Sequence, residues 1–101
     1  MNPAKVVRSR LAKLTDLPNV GAAMASDLRL LGINKPGDLV GKSPYALYDS
    51  LCAITGVRHD PCVIDVFISV TRFMAGEDPR PWWAYTSERK RARRGESRAV
   101  D

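Results

Sequence analysis

One stretch constrains this chain more than any other: Leu14 to Leu28, reading L-T-D-L-P-N-V-G-A-A-M-A-S-D-L. Leu14, Leu17, Val20 and Leu28 stand where the apolar anchors of two packed helical arms belong, with Pro18-Asn19-Val20-Gly21 as a tight turn between them. Ala25 is small enough to let the arms approach closely. Asn19 and Gly21 tolerate backbone angles that bulkier residues resist. A turn of this kind leads directly into a helix start, where unpaired N–H groups and the helix dipole favour an anion such as phosphate.

The length of 101 residues fits one domain with a modest core. A net charge of +5 suggests a polyanion, but its distribution matters more than its sum. Residues 1–13 carry +4, residues 88–101 carry +3, and the middle, 14–87, is −2. The basicity therefore belongs to the two ends. No run approaches the roughly 18 apolar residues of a membrane span, and the N-terminus has no apolar signal core, so the expectation is a cytoplasmic protein without membrane contact. Two cysteines, Cys52 and Cys62, are too few for a disulfide scaffold.

Further signals set the remaining elements. Asn2-Pro3 predicts a helix running to about Leu14, with Val7 and Leu11 on its apolar face. The helix from about Gly21 should stop at Gly32. Pro36-Gly37-Asp38-Leu39 predicts a one-turn helix, and Ser43-Pro44 opens another that closes at Gly56. Asp60-Pro61 and Gly76 bracket the strongest apolar stripe, Val63, Val66, Phe67, Val70, Phe73 and Met74, which is expected to be the central core helix. Glu77 to Pro81 is an extended connector. Trp82-Trp83 should fold back onto the core with one ring exposed. From residue 87 the chain has too little apolar content to order itself and is expected to be a basic disordered tail.

The Leu14–Leu28 stretch resembles the helix-hairpin-helix motif, with Asn19 at the first hairpin glycine and Ala22-Ala23 where DNA-binding members carry Lys or Arg. Gly32 to Leu51 loosely fits a second, degenerate copy. Over Leu14 to Thr86, the elements LPNVGAAMASDLRLLGI, DLVGKSPYALYDSLCAITG, RHDPC and PWWAYT are similar to a small bacterial family of pathogenicity-locus or mitomycin-resistance-type helix-hairpin-helix proteins. That resemblance implies an all-α, SAM-like bundle of about five helices built on one or two such motifs, over residues 1–86, with a DNA-related role.

The expected DNA contacts are the amides of Asn19, Val20 and Gly21, with charge from Lys35, Lys42, Arg89, Lys90, Arg91, Arg93 and Arg94. Amides aimed at phosphate carry no base information, so binding would be non-specific, and the basic residues would make it salt-sensitive. No cofactor is implied, and the leading reading is non-enzymatic. A second reading makes the turn a protein-interaction or dimerisation element. A third assembles Cys52, His59 and Cys62 into a thiol or zinc site, with the Cys62 pKa lowered at a helix N-terminus. Ordinary structure competes there: Asp60 as a cap, Cys62 as a small apolar residue. Three ligands are also one short of a structural zinc site.

Overall fold

The computed structural model describes residues 6–100, with side chains as far as Arg93. Four α-helices, α1 (Ala22–Leu30), α2 (Pro44–Thr55), α3 (Cys62–Met74) and α4 (Thr86–Val100), alternate with short 3-10 turns, and no strand occurs among the described residues. The all-α expectation holds. α3 is the central element: Ile64 through Val70 and Phe73 are all buried, because α2, the Trp82–Tyr85 turn and α4 pack around it. Each large side chain fully removed from water there contributes about 1.5–3 kcal/mol. A helix enclosed in this way must satisfy its own polar residues internally, and Asp65 and Ser69 both do so.

The anchors of the Leu14–Leu28 stretch behave as their spacing predicts. Leu14, Leu17, Val20, Ala25 and Leu28 are buried and join the α3 core. α1 ends where expected: Gly32 is left-handed at φ 81°, and the Ile33 N–H folds back to the Leu28 carbonyl at 3.0 Å. Gly56 closes α2 in the same conformation.

The N-terminal segment departs from expectation. In place of a helix reaching Leu14, residues 6–13 hold a single 3-10 turn, Arg8–Arg10, between extended Val7 and Leu11; Asn2 and Pro3 lie outside the described residues. Two local interactions explain this. Asp16 Oδ2 accepts the N–H groups of Ala12 and Lys13, both at 2.9 Å, which a continuous helix would direct along its own axis. Arg8 is drawn to the end of α3, where its guanidinium lies 3.9 Å from the Phe73 ring centre and donates to the carbonyls of Phe73 and Glu77. The first arm is thereby reduced to the 3-10 turn Leu14–Asp16.

That turn recurs at a constant offset of 22 residues. Asp38 Oδ2 accepts the N–H groups of Asn34 and Lys35 as Asp16 does those of Ala12 and Lys13. Leu39 is buried as Leu17 is, Gly41 takes the positive φ of Asn19 (78° and 65°), and Ser43 precedes α2 as Gly21 precedes α1. The chain thus contains two consecutive copies of a 3-10 turn, a left-handed residue and an α-helix.

The C-terminal segment is also corrected. Over residues 86–93 the expected tail is helical instead: α4 starts at Thr86, and its first two turns pack onto the domain. Thr86, Arg89 and Arg93 share one helical face and supply anchors that the apolar content does not. Thr86 Oγ1 donates to Asp65 at 2.7 Å, Arg89 pairs with the same carboxylate at 3.0 Å, and Arg93 reaches Asp49 and the Tyr45 carbonyl.

Candidate nucleic-acid interface

The two helix starts created by the repeat differ chemically. At α2, Ser43 Oγ accepts the Ala46 N–H at 3.3 Å and Pro44 has no N–H at all, so the terminus is largely sealed, with Tyr45 alone of its first three residues keeping an N–H without an acceptor among the described residues. At α1 the cap position is Gly21, which brings no side-chain acceptor, and the first turn carries no acidic residue. Gly21, Ala22 and Ala23 are all exposed. The first amides of α1 thus lie open beside side chains too small to obstruct an approaching group. They add to the positive end of the helix dipole.

The three residues expected to supply amide contacts are placed unequally. Gly21 is exposed, Asn19 is half-buried, and Val20 is 0 % exposed. Val20 therefore serves as a core anchor, and the open amides begin at Gly21. The Asn19 side chain faces inward, its Nδ2 donating to Ser69 Oγ at 3.1 Å and to the Arg80 carbonyl at 2.8 Å. This brings the connector before Trp82 against the turn, an arrangement with no local signal in the sequence.

The expected cations also separate into two sets. Lys35 and Lys42 are exposed but flank the sealed turn, while Lys13, the counterpart of Lys35, is exposed beside the open one. Arg89 and Arg93 are structural: Arg89 sits against fully buried Asp65, which also holds the guanidinium pKa up, and Arg93 packs over Tyr45 and pairs with Asp49. Lys90 and Arg91 are exposed, whereas the side chain of Arg94 lies outside the described residues. Arg72 pairs with Glu88 and Glu77. Sequence reasoning missed Asp65, although an acid within the run Val-Ile-Asp-Val-Phe-Ile is itself a sign that a cation must lie opposite.

The cysteine and histidine residues form ordinary structure. Asp60 Oδ1 accepts the Cys62 N–H at 2.8 Å, as a cap should. The Asp60 carboxylate also accepts from the Cys62 thiol and, with burial, pushes its pKa up, opposite to the expected activation. His59 is held locally, with Nε2 2.9 Å from Thr55 Oγ1 and its carbonyl accepting from the Tyr48 hydroxyl. Among the described residues, Cys52, His59 and Cys62 do not converge into a group able to hold a metal. Both cysteines are free thiols. Trp82 is half-buried and meets Trp83 edge-on at 5.6 Å, leaving Trp83 as the exposed ring. No described helix is long and apolar enough to cross a membrane.

A model of the family described as "Pathogenicity locus" matches residues 7–91. The chain is also 41% identical over 83 residues to a protein of Streptomyces lavendulae named "Mitomycin resistance protein McrB", the match covering 82% of this chain and 79% of that one. No solved structure matches.

Proposed function

The chain belongs to the pathogenicity-locus family, and from that premise we propose that it is a non-enzymatic module that binds the DNA backbone without sequence specificity, in the setting of drug resistance or DNA damage. In this reading the two turn-and-helix copies are paired helix-hairpin-helix motifs with a shortened first arm. The observation that carries the reading is the contrast between them: the same fold unit closes its helix start with Ser43 and Pro44 in one copy, and leaves Gly21, Ala22 and Ala23 open in the other. An open, uncapped helix start suits a phosphate, and contacts made through amides read no bases. Exposed Lys13, Lys35, Lys42, Lys90 and Arg91 add sequence-independent attraction. The name of the Streptomyces relative places that protein in mitomycin resistance and supports the setting.

The test is a titration of random-sequence duplex DNA at about 50 and 200 mM salt, where several phosphate contacts change affinity by orders of magnitude. Gly21→Glu is the diagnostic variant. Its φ is −95°, and a Cβ there meets nothing within 4 Å, so the substitution fits the fold while placing a carboxylate over the open amides. Gly21→Glu should abolish binding, and Ser43→Ala at the sealed start should leave it unchanged. Salt-insensitive binding, or equal affinity for wild type and Gly21→Glu, would refute the reading. The second reading, a protein-interaction domain, draws on exposed Ile54 and Val57 at the end of α2. A monomer by sedimentation that binds duplex on its own would count against it.

A further inference from the structure

We propose that the outer face running from Trp83 into α4 is a second nucleic-acid surface, on which the Trp83 ring stacks on an unpaired base while Lys90 and Arg91 hold the phosphates of the same strand. Its ligand is single-stranded nucleic acid. The proposal goes beyond the duplex-backbone reading and uses none of the residues at the start of α1.

The ring is presented by a docked element. The 3-10 turn Trp82–Tyr85 packs against α3, with Tyr85 4% exposed and Trp82 half-buried. Trp83 lies between them and is 63% exposed, the highest value among the large apolar side chains described. Pro81 fixes the backbone entering the turn at φ −63°, and Trp82 meets the Trp83 ring edge-on at 5.6 Å and 84°. The ring therefore stands out from a rigid base and loses little freedom when a base settles on it. Such a platform is indifferent to sequence, because every base has a π-face.

The charge follows from the helical register. Thr86, at the junction, has the helical angles φ −60° and ψ −43°, so the turn runs on into α4 without a break. Trp83, Ser87 and Lys90 fall four and three residues apart along one stripe, with Arg91 beside it, and all four are exposed. The other side of the same run carries Tyr85, Thr86, Arg89 and Arg93, which face the domain. At about 1.5 Å per residue, Lys90 and Arg91 lie roughly 10–12 Å from Trp83 along the axis, near enough for one strand to meet ring and cations together. Lys90 and Arg91 make no ion pair among the described residues, and Glu88 is engaged with Arg72. The face thus complements phosphate in charge but carries one apolar ring, whereas a helix lying in a membrane interface needs a broad apolar side.

The experiment uses the full chain with a labelled oligothymidine and, separately, a duplex of equal length, titrated across salt. The variants are Trp83→Ala, Trp83→Phe, the pair Lys90→Ala and Arg91→Ala together, and Gly21→Glu, each first checked for its thermal unfolding midpoint; all four positions are exposed, so the midpoints should match wild type. Trp83→Ala should weaken oligothymidine binding about fivefold or more, the loss of one stacked base, and leave duplex affinity unchanged. Removing Lys90 and Arg91 together should lower the oligothymidine salt slope by about 1 to 1.5. Intrinsic tryptophan fluorescence should fall as the strand binds, and most of that quenching should vanish in Trp83→Phe, where Trp82 is the one remaining tryptophan. Equal oligothymidine affinity in wild type and Trp83→Ala, or unchanged quenching in Trp83→Phe, would overturn the stacking role. A blue-shifted emission on phosphatidylserine vesicles with no response to oligothymidine would overturn it in favour of a lipid surface. Loss of oligothymidine binding in Gly21→Glu would overturn the separateness of the two surfaces. Trp83-dependent oligothymidine binding that survives Gly21→Glu would establish this face by itself, and would do so even if wild type failed to bind duplex and the amide reading fell.

Discussion

Replacing Arg89 by alanine should destabilise the protein more than neutralising its partner Asp65, although the two share one ion pair. Asp65 is 0 % exposed within α3 and receives Arg89 Nε at 3.0 Å, Arg89 Nη2 at 3.3 Å and the Thr86 hydroxyl at 2.7 Å. In Arg89→Ala the carboxylate cannot leave the core, and one hydroxyl is its remaining partner. Stranding a buried charge in this way costs about 3–5 kcal/mol. In Asp65→Asn the amide still accepts from Thr86, and Arg89, whose side chain is 12% exposed on the outer helix, can turn toward water. That loss is about 1–3 kcal/mol, the scale of a charged hydrogen bond. A domain of this kind has only about 5–15 kcal/mol in total, so Arg89→Ala removes a large share. Detachment of α4 sets a ceiling on the cost, since an undocked α4 would let water reach Asp65. Urea unfolding of both single variants and the double variant measures this directly. The sign of the coupling decides: adding Asp65→Asn to Arg89→Ala should restore stability, because it removes the stranded charge. An Arg89→Ala loss below about 1 kcal/mol, or a double variant less stable than Arg89→Ala, would refute an electrostatic lock between α3 and α4.

Acid should weaken the turns through Asp16 and Asp60. Backbone N–H bonds from Lys13 and then Ala12 hold the Asp16 pKa below its ordinary value of 3.8, and the Cys62 N–H does the same for Asp60. A depressed folded pKa means that the contribution is complete above the unfolded value and is lost as pH falls through the folded one, so the decline begins near 3.8 and continues below it. Urea midpoints at neutral pH and in acid should therefore differ less for Asp16→Asn and Asp60→Asn than for wild type; equal acid losses in all three would contradict the assignment. The Cys62 thiol should react with a disulfide reagent more slowly than free cysteine at neutral pH, since hydrogen bonding to Asp60 raises its pKa. Asp60→Asn should speed the labelling, and an unchanged rate would show that the carboxylate does not control the thiol.

What was legible in the sequence was what neighbouring residues settle among themselves. Leu14, Leu17, Val20, Ala25 and Leu28 are buried as their spacing requires, and Gly32, Gly56 and Gly76 adopt left-handed conformations where helices were expected to stop. The two segments that depart from expectation, the N-terminus and the first two turns of α4, do so for a common reason: each is ordered by polar groups acting across the chain. Arg8 reaches Phe73 and Glu77, and Arg89 reaches Asp65. An apolar-content criterion is blind to such partners, yet a buried acid in an apolar helix requires one. The candidate site divides along the same line. The 22-residue repeat was available in the sequence, as Lys13-x-x-Asp16-Leu17 and Lys35-x-x-Asp38-Leu39. Its value lies in where the copies disagree, because equal folding demands leave the differences to be explained otherwise. Gly41 gives the second turn its easiest left-handed residue and Ser43 closes the helix after it; Asn19 and Gly21 give up both advantages. Asn19 recovers part of that loss by bonding Ser69 Oγ and the Arg80 carbonyl, whereas the missing cap at Gly21 has no such return within the fold, which is why the open start of α1 is the feature the phosphate reading has to explain.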